Sequence, residues 1–344
     1  MEGYLTQERT KFLRQQRSLV AAFLFFYCCM ALTASKILKF TKGCEVMNFG
    51  QVLTAMVTPF DSQENIDFEA TRSLVNHLIG NGSDALVIAG TTGESPTLTT
   101  EEKLILFKFV VEVVDGRVPV IAGTGSNNTR ASISLTHKAE EAGVDAIMLV
   151  TPYYNKPTQE GLYQHFSTIA KATSLPVMLY NIPGRSVVNM EPATIIRLSA
   201  INNIVSVKEA SGDLDDATEI IRDTPDDFSV YSGEDSNTLP FVSIGGTGIV
   251  SVSAHVIGNE MQQMVQSFRE GDFAFAARMH QKLVPVMNAI FSAPSPSPVK
   301  AALNAKGVKV GGVRLPLLPL TEEEEACVLN EIGKVQPQEV ASAL

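Results

Sequence analysis

Residues 204–212 read "IVSVKEASG". Ile204, Val205 and Val207 are apolar and β-branched, the composition of a parallel strand covered on both faces. The run then reaches Lys208, and lysine is almost never fully buried unless it is paired. Strand alternation puts Ser206 and Lys208 on one side and Val205 and Val207 on the other. With the valines against a helix layer, Lys208 points to the opposite face. What that face is decides what the lysine can do.

Runs of the same kind recur along the chain. They stand at "VLTAMVTP" (52–59), "DALVIAG" (84–90), "PVIAGTG" (119–125), "AIMLVTP" (146–152), "PVMLYN" (176–181), "IVSVKE" (204–209), "FSVYSG" (228–233) and "GIVSVSA" (248–254). Segments of helical spacing separate them. In "FEATRSLVNHLIGNG", Leu74, Val75, Leu78 and Ile79 share a face and Gly82 follows the end. In "TTEEKLILFKFVVEVV", Thr100 is the expected cap, with acids in the first turn. A third segment, "TRASISLTHKAEEAG", closes at Gly143. Regular strand–helix alternation specifies a parallel sheet, and eight such units are the count of a closed (β/α)8 TIM barrel. A doubly wound open sheet is the runner-up. It would carry its glycine-rich turn after the first strand, where this chain has "TPFDS".

The strands stop after about residue 272. "FAFAARMHQKLVPVMNAIF" reads as a helix, "SAPSPSP" as a break, "VKAALNAKG" as a short helix ended by Gly307, and a last helix begins near Thr321. "TEEEE" reads as a capped, solvated helix start rather than a metal site, because adjacent acids on a helix face different ways. The expected organisation is a catalytic barrel over 47–272 and a small C-terminal helical domain over 273–344. Residues 1–46 do not match the rest. A polar start with four Arg/Lys precedes the uncharged run "LVAAFLFFYCCMALTA" (19–34). A secretory signal, a membrane anchor and translated sequence upstream of a true start at Met47 compete, and the third is favoured.

The net charge of −10 argues against a nucleic-acid partner. Cys28, Cys29, Cys44 and Cys327 have no zinc-site spacing, and only one of them lies beyond the leader, which fits a reducing cytoplasm. The five histidines form no close pair. There is no Walker motif and no metal-spaced His/Cys/Asp set.

In a barrel of this type the chemistry gathers at the C-terminal ends of the strands. There the chain places Thr91 and Thr92 in "GTTGES" (90–95), Tyr153 and Tyr154 in "TPYYNKP" (151–157), and Tyr180, Asn181 and Arg185 in "YNIPGRS" (180–186). Lys208 and Glu209 follow on the sixth strand, "YSGED" (231–235) on the seventh, and Ile249 and Ser251 on the eighth. Desolvation disfavours an ammonium, and a neutral lysine amine attacks a ketone to form a Schiff base. That reaction needs a proton relay, which Tyr180, Tyr154 and Thr91 can supply. It also needs a partner for a keto-acid carboxylate, which Thr92 and the amides of its glycine-flanked turn can provide. The alternative is a lysine held by a nearby carboxylate such as Glu209. "GTGSNN" (123–128) is no dinucleotide fingerprint, and its glycines read as close packing at the barrel rim.

Together "GTTGES", "TPYYNKP", "YNIPGR", "VKEASG" and "YSGED" resemble the dihydrodipicolinate synthase family of the Schiff-base aldolase superfamily, which also holds the N-acetylneuraminate lyases. The resemblance runs from residue 47 to about 330 and is greatest to the form found in Bacillus-like bacteria. It implies condensation of pyruvate with L-aspartate 4-semialdehyde through a Lys208 Schiff base, at the head of the diaminopimelate route to lysine. By resemblance, Tyr180 relays protons, Thr91 links it to Tyr154, and Tyr154 reaches a neighbouring subunit's site. Thr92 binds the pyruvate carboxylate, Arg185 binds the semialdehyde carboxylate, and Gly233 and Ile249 line the pocket. A homotetramer of tight dimers is implied, with no metal or organic cofactor, and no membrane partner is expected. The lyases usually carry Ser-Thr where this chain has Thr91-Thr92 and lack the element holding Arg185. That selects the synthase over the lyase, and the alternative is another pyruvate-dependent aldolase of the superfamily, a sugar-acid or hydroxy-keto-acid lyase. At the family's lysine-effector positions this chain has Pro96, Thr100, Lys103 and Ala131, though Asn127 and Tyr153 are kept, which implies weak or absent feedback by L-lysine.

Overall fold

The computed structural model describes residues 49–335. The leader over 1–46 and the final stretch 336–344 lie outside that range. Eight short parallel strands close on themselves in sequence order, β1 (Val52–Ala55), β2 (Ala85–Ile88), β3 (Val120–Gly123), β4 (Ala146–Val150), β5 (Val177–Asn181), β6 (Ile204–Glu209), β7 (Ser229–Ser232) and β8 (Gly248–Ser251). The seam pairs Val52 with Ile249 and Thr54 with Ser251. This is the expected TIM barrel, with strands shorter than the apolar runs that announce them. The runs continue past the strands into the loops that build the site.

Each helix forms where its apolar face has a sheet to cover. Helix α1 (Phe68–Gly80) buries Thr71, Leu74, Val75 and Leu78, and the Asp67 side chain caps it by accepting the Ala70 N–H. Fully burying a leucine contributes about 1.5–3 kcal/mol, so this stripe fixes the helix on the barrel. Helix α2 (Thr100–Val114) is capped one residue earlier than expected. Thr99, not Thr100, takes the Glu102 N–H, and the Glu102 carboxylate takes the Thr99 N–H in return. The hydroxyl that lies outside the helix, with extended backbone, is the one free to cap. The outer layer continues with α3 (Thr129–Glu141), α4 (Gln159–Ala170), the short α5 (Pro183–Ser186), α6 (Pro192–Ser199), α7 (Leu214–Asp223), α8 (Thr238–Ser243) and α9 (Ala254–Arg269).

Three helices follow, α10 (Phe273–Ile290), α11 (Ser297–Ala305) and α12 (Glu322–Gly333). Thr321 and Glu324 form a reciprocal cap on α12, as the "TEEEE" reading anticipates. Leu283, Val299, Leu303 and Val328 belong to one buried cluster with Leu74, Phe107 and Val207 of the barrel layers. Gly123 and Gly125 pack as expected at the rim. A Cβ on Gly123 would stand 2.4 Å from the Ala89 carbonyl oxygen, and one on Gly125 2.5 Å from the Val150 nitrogen.

Candidate active site

Strand register tells which side chains enter the barrel. Tyr180 pairs with Lys208, and Lys208 with Tyr231. Neighbours in register share a face, so these three point inward together with Met148, Val150 and Met178. Lys208 is 5 % exposed, and its Nζ lies 4.3 Å from the centre of the Tyr180 ring. No ion pair involves Lys208 among the described residues. The alternative partner, Glu209, points to the opposite face. Its carboxylate accepts hydrogen bonds from Asn181 Nδ2 at 3.0 Å and from the Ser211 N–H at 2.7 Å. Burial pushes the Glu209 carboxyl above its ordinary range, against those hydrogen bonds. The lysine is therefore not a structural salt bridge with its sequence neighbour.

Tyr180, 3 % exposed, lines a cavity of about 300 Å³ together with Thr91, Ser95, Lys103, Tyr153 and Arg185. Arg185 reaches it from α5, a single turn begun by Pro183. Thr92 is buried beside Thr91 in the turn after β2. Gly233 adjoins the lysine. A Cβ there would lie 3.1 Å from Lys208 Cε and 2.4 Å from Ala210 Cβ. Glu234 follows it, half-buried. Burial and then Asp235 push its carboxyl up, while the positive charges of Lys208 and Arg185 pull it down.

One residue expected to line the pocket, Ile249, stands elsewhere. Ile249 pairs with Ser232, which pairs with Glu209, so it shares the helix-facing side and belongs to the apolar layer between sheet and helices. Gly248, in register with Tyr231, and Val250, 1 % exposed, are the β8 residues on the interior face. Tyr154 does not line the cavity. It is 90 % exposed, and Tyr154 and Lys156 both have positive φ, at 73° and 44°. The loop thus holds this tyrosine out in solvent. Three charged residues that the sequence did not single out lie behind the Thr91–Thr92 turn, namely Glu94, Lys300 and Arg314. Lys300 and Glu94 are buried and 2.7 Å apart. The only local signal for Lys300 is a charge within an apolar helix face. Among the described residues no group of three or more His, Cys, Asp or Glu is placed to hold a metal ion.

A closed barrel whose interior presents an unpaired lysine at the end of β6, against a buried tyrosine and beside an arginine-lined cavity, has the frame of the Schiff-base class of carbonyl enzymes. Comparison with known proteins narrows the class. The chain belongs to the dihydrodipicolinate synthetase family, whose model matches residues 48–334. It is 61% identical over 290 residues to the 4-hydroxy-tetrahydrodipicolinate synthase of Bacillus subtilis, covering 84% of this chain and 100% of that protein. It is 65% identical over 279 residues to synthase 1 of Halalkalibacterium halodurans, covering 81% and 95%. A crystal structure of dihydrodipicolinate synthase from Bacillus anthracis superposes with a TM-score of 0.84 at 60% identity, covering 85% of this chain and all of that one.

Proposed function

We infer that the protein condenses pyruvate with L-aspartate 4-semialdehyde to give 4-hydroxy-tetrahydrodipicolinate, the first committed step toward diaminopimelate and lysine. The observation that carries this reading is the unpaired Lys208 packed on Tyr180, in a chain of this family. After losing a proton, Lys208 Nζ adds to C2 of pyruvate, and the resulting carbinolamine loses water to an iminium. Loss of a C3 proton gives an enamine, whose carbon attacks the aldehyde of the second substrate; that substrate's amino group then displaces Nζ from C2, which closes the ring and frees the lysine. Tyr180, lying against the lysine, relays protons in these steps, with Thr91 linking it to Tyr154. Thr92 and nearby amides hold the pyruvate carboxylate, while Gly233 leaves room beside Lys208. The planar fork of Arg185 suits the semialdehyde carboxylate.

Tyr154 completes the relay in a neighbouring subunit, and the protein works as a homotetramer of tight dimers. The support is the loop geometry, which spends two left-handed residues on holding a large aromatic away from its own barrel. The working compartment is the cytoplasm. No helix among the described residues is long and apolar enough to cross a membrane.

The test uses the full chain with both substrates and a coupled dihydrodipicolinate reductase, with Lys208→Ala beside it. Turnover in the wild type and none in the variant is the expected result. Borohydride should trap pyruvate on Lys208. A trapped adduct without turnover would move the assignment to another pyruvate-dependent aldolase. Absence of both adduct and turnover would refute it.

A further inference from the structure

The turn carrying Thr91 and Thr92 is bracketed by two left-handed residues, Ala89 with φ 49° and Glu94 with φ 56°. Residues with a Cβ enter that region when their surroundings impose it. Within the turn, the Glu94 N–H donates to the Thr91 carbonyl at 3.1 Å and the Ser95 N–H to the Gly90 carbonyl at 3.2 Å. Thr58 Oγ1 donates to the Gly93 carbonyl at 2.7 Å.

The remaining restraint comes from the C-terminal segment. Glu94 Oε1 lies 2.7 Å from Lys300 Nζ, with the two side chains 1 % and 2 % exposed. Glu94 Oε2 accepts the Arg314 N–H at 2.9 Å. Lys300 also donates to the Gly312 carbonyl and sits 4.2 Å from the centre of the Phe60 ring. The Arg314 guanidinium bonds both Glu102 oxygens and the Thr97 carbonyl, so it grips the far side of the same loop. A buried ion pair is a poor stability device, since an apolar pair of similar volume often serves as well or better. What it supplies is a fixed geometry for the group it holds, and here that group is a strained residue two positions from Thr92.

We propose that Lys300, acting through Glu94, is a positioning residue for the Thr91–Thr92 turn and so sets the subsite that receives the carboxylate of a 2-keto acid. The inference rests on the reading above of Thr92 and Lys208. Without the ammonium, Glu94 is left buried with no counter-charge on Oε1 and only the Arg314 N–H on Oε2, the left-handed bend loses its main anchor, and the turn relaxes. The keto acid then loses well-placed donors, whereas Arg185, on α5, stays where it is.

The experiment follows the mass of borohydride-trapped pyruvate on Lys208 against pyruvate concentration, in the full chain. The variants are Lys300→Met and Glu94→Leu/Lys300→Met, with thermal unfolding measured beside them. Half-maximal trapping should need roughly tenfold more pyruvate or more in both variants, as expected for loss of a charge-assisted tether. KM for the semialdehyde should stay at the wild-type value. The double variant should recover the wild-type Tm without recovering the pyruvate requirement, which a purely structural pair would not do. A double variant with wild-type Tm and wild-type pyruvate requirement would overturn the proposal, as would equal losses for both substrates that track Tm. If the single variant fails to fold, the double variant decides. Absence of any trapped adduct in the wild type would strike the Schiff-base reading itself, a result distinct from either of these.

Discussion

His255 makes the barrel seam sensitive to acid. It opens α9 directly after β8 and is fully buried. Its Nε2 accepts the Val57 N–H at 3.1 Å, and its Nδ1–H donates to the Val252 carbonyl at 2.7 Å. Both bonds need the neutral ring protonated on Nδ1 alone. Burial holds its pKa down at about 4, against an ordinary value of 6.5, and the Val252 bond only partly offsets this. The folded pKa is depressed, so between pH 6.5 and 4 the unfolded chain binds the extra proton. Stability from this residue is therefore complete above about pH 6.5 and is lost as the pH falls. Taking the two values at face, lowering pH from 7 to 5 removes about 2 kcal/mol through His255 alone. The assay is reversible urea unfolding of wild type and His255→Gln at equal protein concentration, across that range. Other groups titrate too, so the informative quantity is the stability difference between the two proteins at each pH. That difference should shrink by about 2 kcal/mol from pH 7 to 5. A difference independent of pH would refute the reasoning.

Further outcomes follow from the cavity. Arg185→Ala should lower kcat/KM for the semialdehyde roughly 100-fold while leaving trapped pyruvate on Lys208 unchanged, since only one carboxylate loses a bidentate partner; equal losses in both measurements would remove this role. Gly233→Ala should lower turnover roughly 100-fold, because its methyl displaces either Ala210 or the reacting lysine. Millimolar L-lysine should leave the initial rate unchanged in the same coupled assay. Lys103, half-buried and lining the cavity, opposes a dibasic ligand there, and strong inhibition at submillimolar lysine would contradict this.

The barrel was legible because each strand is short, β-branched and covered on both faces, while the helices between them alternate in polarity. The lysine was legible for the opposite reason, as a charge where that pattern forbids one. The same double coverage hid the facing of β8. Ile249 and Val250 are equally apolar, so only the register to Ser232 distinguishes the helix side from the interior. The cap expected at Thr100 falls at Thr99 because both carry hydroxyls and backbone conformation alone selects between them. The Glu94–Lys300 pair left almost no trace, since nothing local announces a contact between residues so distant in the chain. Tyr154 sits in the loop after β4, and its exposure follows from a backbone twist that residue types do not reveal.

The seam and the C-terminal restraint also impose an order on synthesis. Val52 finds its partner Ile249 only after the last strand has emerged, and Glu94 meets Arg314 220 residues later than its own appearance. At a ribosomal pace of ~5–20 residues per second, that interval is about 10–40 s. Throughout it, the nascent chain carries the Thr91–Thr92 loop without its anchor and β1 as an open sheet edge. The catalytic mouth is thus assembled last, by the end of the chain.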